Sequence, residues 1–296
     1  MIVITGALGH VGSKLILDLE SNDIVMIDNM NTQAYPSLFY LPKKNYKFIK
    51  GDIFNLDLAS IFKGAEVVIH LAAIADPENS HEQRELVNKV NVEGTRIVAE
   101  ACIKAKVPMI FASTTSVYGV QEEEVDETCT HLQPQTPYAD SKIAAERMLK
   151  TMKGLKYIIC RFGTVFGPSR GMRFHTAVNR FCFQAAIGQP ITVWNTALNQ
   201  NRPYLDLEDM VRAIQFIIDN KVYTNEIYNL VTINTTVGRI IDIIKKTIPD
   251  LSINFVDSPI MSQLSYTISN KKFTNLGFDF KGNIDKGVTE TLELLR

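Results

Sequence analysis

Short apolar runs alternate with amphipathic stretches through the first half of this 296-residue chain. Runs such as Val67-Val68-Ile69 are apolar at every position, which is typical of strands buried on both faces of a sheet. The pattern predicts strands at 1–5, 24–28, 46–50, 66–71, 108–112 and 156–160 and helices at about 10–20, 55–63, 81–105 and 138–152. This alternation indicates an α/β fold with a doubly wound parallel sheet and helices on both faces.

After Pro168 the alternation becomes less regular. The pattern there predicts helices near 172–187, 207–219, 236–247 and 284–295 and strands near 190–194 and 226–231. We therefore expect a sheet domain over 1–165, with 206–231 packing back on it, and a smaller mixed α/β lobe over 166–296.

A glycine-rich turn follows the first predicted strand. Gly6, Gly9 and Gly12 have the spacing G-x-x-G-x-x-G and lead into a predicted helix. Glycines let a backbone turn tightly against a pyrophosphate, and the free N–H groups at a helix start favour an anion. Strand, turn and helix in this order indicate a Rossmann-type dinucleotide site, although a plain tight turn is the alternative.

Asp28 ends the second apolar run, about 20 residues past the glycines, where a ribose-binding carboxylate is expected. Its negative charge would accept hydrogen bonds from the ribose of NAD and repel the extra phosphate of NADP. The alternative is a strand-end turn, helped by Asn29 and Asn31.

Composition excludes several classes of protein. The net charge of −1 gives no basic field for nucleic acid or an acidic membrane, and no apolar stretch is long enough to cross a bilayer. The chain begins directly with a predicted strand, so we expect no secretory peptide. The four cysteines and five histidines lack metal-ligand spacing, so we expect free thiols, no metal and a cytoplasmic location.

Tyr138 and Lys142 form a Y-x-x-x-K pair, and Pro137 fits the first turn of the helix that would carry them. Residues four apart share a helix face. A nearby ammonium favours a phenolate, so the pair is expected to lower the tyrosine pKa and make Tyr138 a base toward a sugar hydroxyl. By itself this spacing is also typical of an ordinary surface helix.

The hydroxyl-rich stretch Ser113-Thr114-Thr115-Ser116 follows a buried strand, at the edge where open α/β sheets bind ligands. With this stretch the chain resembles the extended short-chain dehydrogenase/reductase family, specifically its nucleotide-sugar epimerase/dehydratase group. The resemblance covers nearly the whole chain and includes the glycine turn, Asp28, 51–53, 70–73, 91–95, 113–119, Tyr138/Lys142, 161–168 and 202–209.

The resemblance implies a role for each matching residue. Thr114, Tyr138 and Lys142 would be catalytic, with Lys142 also on the nicotinamide ribose. Contacts to NAD would come from Gly6, Gly9, His10, Val11, Gly12, Asp28, Asn29, Asp52, Ile53, Leu71, Ala72, Ala73, Asn91, Tyr138, Lys142 and Phe162. A nucleoside-diphosphate sugar would contact Thr114, Thr115, Thr164, Arg173, Asn179 and Arg202. Simple strand-end capping by Thr115 and surface charge for the arginines are the alternatives.

Two departures from the family bear on the reaction. Hexose 4,6-dehydratases of this group carry an Asp-Glu pair after the catalytic threonine, whereas Thr115 and Ser116 stand here. Thr164 stands where many relatives have a substrate-binding asparagine. Elimination therefore lacks its usual acid and base, which favours 4-epimerisation. A 4-oxidase or reductase, a dehydratase, and a non-catalytic NAD-binding sensor are the alternatives. The resemblance also implies a homodimer through the helices near 81–105 and 138–152.

Overall fold

The structure is a computed structural model that describes residues 1–21, 23–32, 34–76, 80–257 and 265–296. Its strands are β1 (Ile2–Thr5), β2 (Asp23–Asp28), β3 (Asn45–Lys50), β4 (Val67–His70), β5 (Met109–Thr114), β6 (Glu124–Val125), β7 (Tyr157–Phe162), β8 (Thr164–Phe166), β9 (Ile191–Trp194), β10 (Asn201–Asp206), β11 (Ile227–Leu230), β12 (Ile233–Thr236), β13 (Ile253–Val256) and β14 (Thr267–Ile268). Its helices are α1 (His10–Asp18), α2 (Leu58–Phe62), α3 (Arg84–Asn88), α4 (Thr95–Ala105), α5 (Pro137–Thr151), α6 (Ala177–Ala186), α7 (Leu207–Asp219), α8 (Val237–Thr247), α9 (Lys271–Thr274) and α10 (Ile284–Leu295).

The central sheet has the strand order β11-β7-β5-β4-β1-β2-β3 in the described part of the chain, and each neighbouring pair is parallel. Successive side chains of a strand point to opposite faces, so β1 places Ile2 and Ile4 in one apolar core and Val3 in another. Helices α1 and α7 pack in the first core, and α2, α4 and α5 pack in the second. The predicted doubly wound α/β class is therefore confirmed.

The second half of the chain contributes to both parts of the molecule. β11 lies within 206–231 and pairs with β7 at the edge of the central sheet. A separate sheet of order β12-β10-β8 and a third core, formed largely by α6, α8 and α10, build the remainder. No helix among the described residues is long and apolar enough to cross a membrane.

Candidate active site

The carboxyl ends of five parallel strands meet at one edge of the central sheet. In the strand register Thr5 lies beside His70, and Thr114 lies beside Phe162. The loops that follow β1, β2, β4, β5 and β7 therefore converge there, as in open α/β sheets that bind ligands at this edge.

The glycine turn holds its backbone close to the loop after β4. Gly6 has a positive φ of 67°, and a Cβ there would lie 2.6 Å from the Ala72 nitrogen. A Cβ on Gly12 would lie 2.5 Å from the Ala7 oxygen, so both positions require glycine. Gly9 caps α1 without a side-chain hydrogen bond, so the first N–H groups of the helix, from His10 and Val11 onward, can receive an anion.

The side chain of His10 joins this turn to the segment that leads into the second lobe. Its Nε2–H donates to the Gly167 oxygen (2.9 Å), and the Ser169 hydroxyl donates to the His10 oxygen (2.9 Å). The Gly171 nitrogen donates to Ser13 Oγ (3.0 Å). Burial lowers the pKa of His10 to about 4, so the ring is neutral near pH 7. These contacts fix segment 167–171 against the glycine turn.

Asp28 is both a turn residue and an available carboxylate. Its Oδ2 accepts from the Leu8 nitrogen (3.0 Å), and its Oδ1 accepts from the Met30 nitrogen (2.7 Å). The strand-end turn expected as the alternative is thus present, and each oxygen keeps a lone pair for a ribose hydroxyl. The Asn29 side chain donates to Asp52 Oδ2 (2.9 Å). Ile53, the next residue after Asp52, is buried.

The loop after β4 begins with half-buried Leu71, Ala72 and Ala73. The Leu71 nitrogen donates to the Thr5 oxygen (3.0 Å), which continues the pairing of β1 and β4. Asn91 lies in a π-helical turn over Lys89–Gly94, between α3 and α4, where the sequence predicts one continuous helix. Its side-chain amide accepts from the Ile74 nitrogen (2.8 Å) and donates to the Ile74 oxygen (3.0 Å) and to Ser141 Oγ (2.9 Å). The Asn91 side chain therefore holds the loop by its backbone at Ile74.

A buried chain of hydrogen bonds runs from β1 to α5 through His70. The Thr95 hydroxyl donates its one hydrogen to the backbone oxygen of Asn91 (2.7 Å). Since that hydrogen is used, Thr95 accepts from His70 Nε2–H (3.0 Å). His70 Nδ1 then accepts from the Thr5 hydroxyl (2.7 Å). Burial, with the Lys142 charge, lowers the pKa of His70 to about 3, so the ring stays neutral with its proton on Nε2. The Asn91 side chain extends this series of hydrogen bonds to Ser141, and the Ser141 hydroxyl donates to the backbone carbonyl oxygen of Tyr138 (2.7 Å).

The predicted catalytic pair lies on α5, as the spacing requires. Thr136 caps the helix by accepting from the Ala139 nitrogen (3.2 Å), and Pro137 occupies the first turn. Lys142 is buried, its Nζ lies 5.9 Å from the centroid of the Tyr138 ring, and it donates to the Ala112 oxygen (2.8 Å). Thr114 ends β5, and its hydroxyl lies close enough to the Tyr138 phenol to lower the pKa of that group. Thr114, Tyr138 and Lys142 therefore converge at the carboxyl edge.

The electrostatics of this pair differ from the sequence expectation. Burial raises the pKa of Tyr138 to about 12, and the partial offset comes from Thr114 and the Arg173 charge rather than from Lys142. Burial also lowers the pKa of Lys142 to about 8, against the attraction of Glu146. The expectation that Lys142 brings the tyrosine pKa down is therefore wrong for this structure, because both groups pay a larger desolvation cost.

The two hydroxyls after Thr114 have different environments. Thr115 is 2% exposed and donates to the Phe162 oxygen (3.3 Å), so its side chain stabilises the strand end instead of lying open to a ligand. This geometry matches the capping alternative and differs from the predicted substrate contact. Ser116 is half-buried, and its hydroxyl lies 2.9 Å from Thr114 Oγ1.

The predicted substrate residues lie on several elements of the second half. Thr164 begins β8 and pairs in register with Tyr204. Arg173 is half-buried, and its charge lowers the pKa of Tyr138, His10 and His175, so it lies at the junction of the glycine turn and the catalytic helix. The Ala75 backbone, beyond β4, raises the pKa of His175, so this histidine lies beside the loop after β4.

Asn179 and Arg202 carry buried polar atoms without a partner. Asn179 on α6 is fully buried, and neither its Oδ1 nor its Nδ2 has a hydrogen-bond partner in the described ranges. Arg202 on β10 contacts Gln200 Oε1 (3.3 Å) through Nη2, but its buried Nε has no partner in the part of the chain that the structure describes. Unpaired buried polar atoms are uncommon in proteins, so a ligand's polar groups fit here.

Sequence reasoning missed the buried pair Glu146 and Arg161. Arg161 Nε donates to Glu146 Oε1 (3.0 Å), and Arg161 Nη2 donates to Oε2 (2.6 Å). The available signal was the spacing of Glu146, which follows Lys142 by four residues and so shares its helix face. The partner on β7 is distant in sequence and carries no comparable signal.

Comparisons with known proteins place this architecture among nucleotide-sugar enzymes. The model of the NAD dependent epimerase/dehydratase family matches residues 2–230. A UDP-glucose epimerase of Bacillus subtilis, YtcB, described as uncharacterized, is 30% identical over 77% of this chain and 76% of its own length.

A trifunctional UDP-glucose 4,6-dehydratase/3,5-epimerase/reductase of Arabidopsis thaliana is 29% identical over 99% of this chain. The chain spans only 46% of that protein. The crystal structure of UDP-glucuronic acid 4-epimerase from Bacillus cereus, in complex with UDP-glucuronic acid and NAD, has a TM-score of 0.88 at 25% identity. The match covers 99% of this chain and 98% of the epimerase chain.

Proposed function

The chain belongs to the NAD-dependent epimerase/dehydratase family, and on that premise we propose that it is a nucleotide-sugar 4-epimerase. Membership confirms the resemblance expected from the sequence, the enzymatic character of the chain and NAD as its cofactor. The observation that carries the proposal is the convergence of Thr114, Tyr138 and Lys142 beside two hydroxyls, Thr115 and Ser116, where a dehydratase needs an acid and a base.

The glycine turn fits a dinucleotide, because Gly6 and Gly12 cannot carry a side chain and the helix start offers free N–H groups. We assign the pyrophosphate to Gly9, His10 and Val11, the adenine ribose to Asp28 and Asn29, and the adenine to Asp52 and Ile53. Leu71, Ala72, Ala73, Asn91 and Phe162 line the cofactor's path in this assignment. When bound, NAD accepts and returns the hydride that C4 chemistry requires.

Tyr138 acts as the base toward the sugar C4 hydroxyl in this proposal. The Thr114 hydroxyl lies beside the Tyr138 phenol and lowers its pKa, so it can orient the same sugar oxygen and share its proton. Lys142 is anchored to the Ala112 oxygen and supplies a positive charge on the same helix face. Burial raises the pKa of Tyr138, so the phenolate that removes the proton depends on positive charge nearby, from Arg173 and from the oxidised nicotinamide that NAD would supply. Once the sugar has protonated it, Tyr138 is the acid that returns the proton to the C4 oxygen.

Elimination of water across C5–C6 needs one group that removes the C5 proton and another that protonates the leaving hydroxyl. Thr115 is buried against the Phe162 oxygen, and Ser116 bonds Thr114. Neither hydroxyl can serve as a carboxylate base or carboxylic acid near pH 7. This supports redox chemistry at C4 without dehydration.

We assign the diphosphate of the substrate to Arg202 and Arg173. A guanidinium pairs well with phosphate oxygens, and Arg202 has a buried, unpaired Nε to offer. Asn179 offers an acceptor and a donor that have no partner among the described residues, and Thr164 contributes to the same substrate site in this assignment. Several relatives are named for UDP-sugars, so a UDP-hexose is the first candidate substrate.

The test is to incubate the purified enzyme with UDP-glucose, UDP-glucuronic acid and their N-acetyl and dTDP or GDP counterparts. Products are then followed by NMR without added NADH. We expect a C4-inverted sugar from at least one UDP substrate and none from the Tyr138→Phe variant. Accumulation of a 4-keto product with stoichiometric NADH identifies an oxidase instead. NAD binding with no turnover of any sugar identifies a sensor.

We also propose a homodimer, through the surfaces of α4 and α5, and a cytoplasmic location. The buried free thiols of Cys102, Cys160 and Cys182 support a reducing compartment. Leu86 on α3 is 47% exposed beside these helices, so Leu86→Glu is expected to shift the sedimentation coefficient from dimer to monomer. An unchanged coefficient rules out this interface.

A further inference from the structure

Helix α5 holds two residues near the end of β5, Ala112 and Ser113, with two oppositely charged side chains. Lys142 Nζ donates to the Ala112 oxygen (2.8 Å), and Ser113 Oγ donates to Glu146 Oε1 (2.5 Å). The next residue along the strand is Thr114. The strand end that carries the catalytic threonine is therefore tied to the helix that carries the catalytic tyrosine.

The carboxylate of Glu146 forms an ion pair with Arg161 and lies on the helix face that carries Lys142. It lies one helical turn after Lys142 on the same face, and it accepts both hydrogen bonds of a bidentate contact from Arg161 on β7. The side chains of Glu146 and Arg161 are 4% and 3% exposed, so their charges interact with little screening by solvent. Arg161 also lies over the Tyr118 ring, 4.7 Å from its centroid.

We propose that Glu146 and Arg161 are positioning residues for the catalytic pair. Glu146 supplies the buried negative charge that keeps Lys142 an ammonium ion beside Tyr138, and Arg161 limits how much of that charge Lys142 receives. The proposal depends on the proposed function only for the catalytic importance of Lys142.

The groups around Lys142 leave Glu146 as its anionic neighbour in the described structure. On α5 it faces Tyr138 and Glu146. β5 presents the Phe111 ring, 4.9 Å from Nζ, and the Ala112 oxygen. β4 presents His70, whose ring is neutral, and β7 presents Arg161 only through Glu146. Burial alone drives the pKa of Lys142 down, and Glu146 opposes that decrease.

The test uses two substitutions with opposite expected effects. In protein carrying ¹³Cε-lysine, the Lys142 resonance is assigned by Lys142→Arg and titrated by NMR in the full chain with NAD bound. We expect Glu146→Gln to lower the midpoint of Lys142 by at least one pH unit, since it removes the compensating charge. Arg161→Met is expected to raise the midpoint, because Glu146 then interacts with Lys142 alone.

Ser113→Ala is the matched control, because it removes a hydrogen bond to Glu146 without changing charge. Its Lys142 midpoint is expected to stay within a few tenths of a pH unit of the native value. Glu146→Asp keeps the carboxylate, so its Lys142 midpoint is expected to lie closer to the native value than to that of Glu146→Gln. If Glu146→Gln does not fold, the upward shift in Arg161→Met carries the test. Unchanged midpoints, or shifts in the same direction in both variants, overturn the proposal.

Turnover is measured across pH as a separate readout. The alkaline limb of kcat is expected to move with the NMR midpoint, downward in Glu146→Gln and upward in Arg161→Met. NMR shifts without matching changes in the kcat profile contradict the role of Lys142 in the proposed function and leave the electrostatic inference standing.

Discussion

The polar groups at the edge of the central sheet differ from those of the second lobe in how they are paired. His70, Asn91 and Asp28 each make two or three hydrogen bonds within the chain. In α6 and β10, by contrast, buried atoms of Thr176, Asn179, Arg202 and Tyr204 have no hydrogen-bond partner in the ranges that the structure describes. An unpaired buried polar group costs about 1–3 kcal/mol. The side chains of His70, Asn91 and Asp28 are thus held within the chain, whereas the unpaired atoms of the lobe are suited to pair with a ligand. In the central sheet, Arg161 Nη1 on β7 also lacks a partner among the described residues.

The largest expected effect breaks the chemistry of the sheet edge. Tyr138→Phe removes the hydroxyl that exchanges a proton with the sugar, so turnover is expected to fall by about 10²–10⁴-fold while NAD remains bound. Turnover is assayed by NMR and bound NAD by absorbance after denaturation. Tyr157→Phe, at the opposite end of β7, is the control and is expected to retain activity. Near-native turnover in Tyr138→Phe would remove Tyr138 from the mechanism.

Acid is expected to destabilise the sheet edge through His70. Its pKa in the folded protein is about 3, below the ordinary 6.5, so its contribution to stability is complete above pH 6.5 and is lost as pH falls toward 3. At 1.36 kcal/mol per pKa unit, the upper limit is roughly 4–5 kcal/mol. His10 and His175 act in the same direction, with pKa values of about 4.

Urea unfolding between pH 7 and pH 4 measures this effect. The free energy of unfolding is expected to fall with pH, and His70→Asn should show a shallower slope. His131→Gln, at an exposed position, is the control and is expected to leave the slope unchanged. A slope that His70→Asn does not alter contradicts the neutral, buried imidazole.

In the second lobe, Arg202→Ala sharpens the comparison. Loss of a charged hydrogen-bond donor is expected to weaken nucleoside-diphosphate binding by about 1.5–3 kcal/mol and to leave NAD affinity almost unchanged. Calorimetry with UDP, GDP and dTDP measures this and identifies the base. Arg239→Ala, in an exposed ion pair with Asp285, is the control. If NAD affinity alone falls, Arg202 belongs to a different site.

A matched pair of asparagines tests the comparison on stability. Asn179→Leu replaces an unpaired buried amide, so the free energy of unfolding is expected to stay level or rise by about 1 kcal/mol, while substrate affinity falls. Asn91→Leu leaves the Ile74 backbone and Ser141 without partners, so it is expected to destabilise the protein by about 1–3 kcal/mol. Thermal unfolding of both variants decides whether the two regions differ as described.

The sequence predicted the central sheet better than the lobe, for physical reasons. Strands such as β1 and β4 are apolar throughout because both faces are covered, and their runs are visible without any structure. β10 and β12 were not predicted, since Arg202-Pro203 and Asn234-Thr235-Thr236 are mostly polar and pair only in the three-dimensional fold. The π-helical turn around Asn91 was read as ordinary helix, because its cause is a long-range contact with Ile74 and Ser141.

Within the candidate site, local motifs carried most of the prediction. The glycine turn, the spacing of Tyr138 and Lys142 and the hydroxyl-rich end of β5 predicted the sheet edge together with the family resemblance, whereas each motif alone was ambiguous. The pKa of Tyr138 could not be predicted in the same way, because it depends on burial by residues far apart in the sequence. The pairing of Glu146 with Arg161 and the burial of Thr115 are likewise properties of the folded chain.

The most direct test of C4 redox chemistry without elimination is turnover of an accepted nucleotide hexose in D₂O. Elimination across C5–C6 requires the C5 proton to leave and exchange with solvent, whereas 4-epimerisation returns the same hydride to C4. NMR is therefore expected to detect a C4-inverted product that contains no deuterium on carbon. A 6-deoxy-4-keto product labelled from solvent would contradict the account, because an acid and a base other than Thr115 and Ser116 would then have to serve the site.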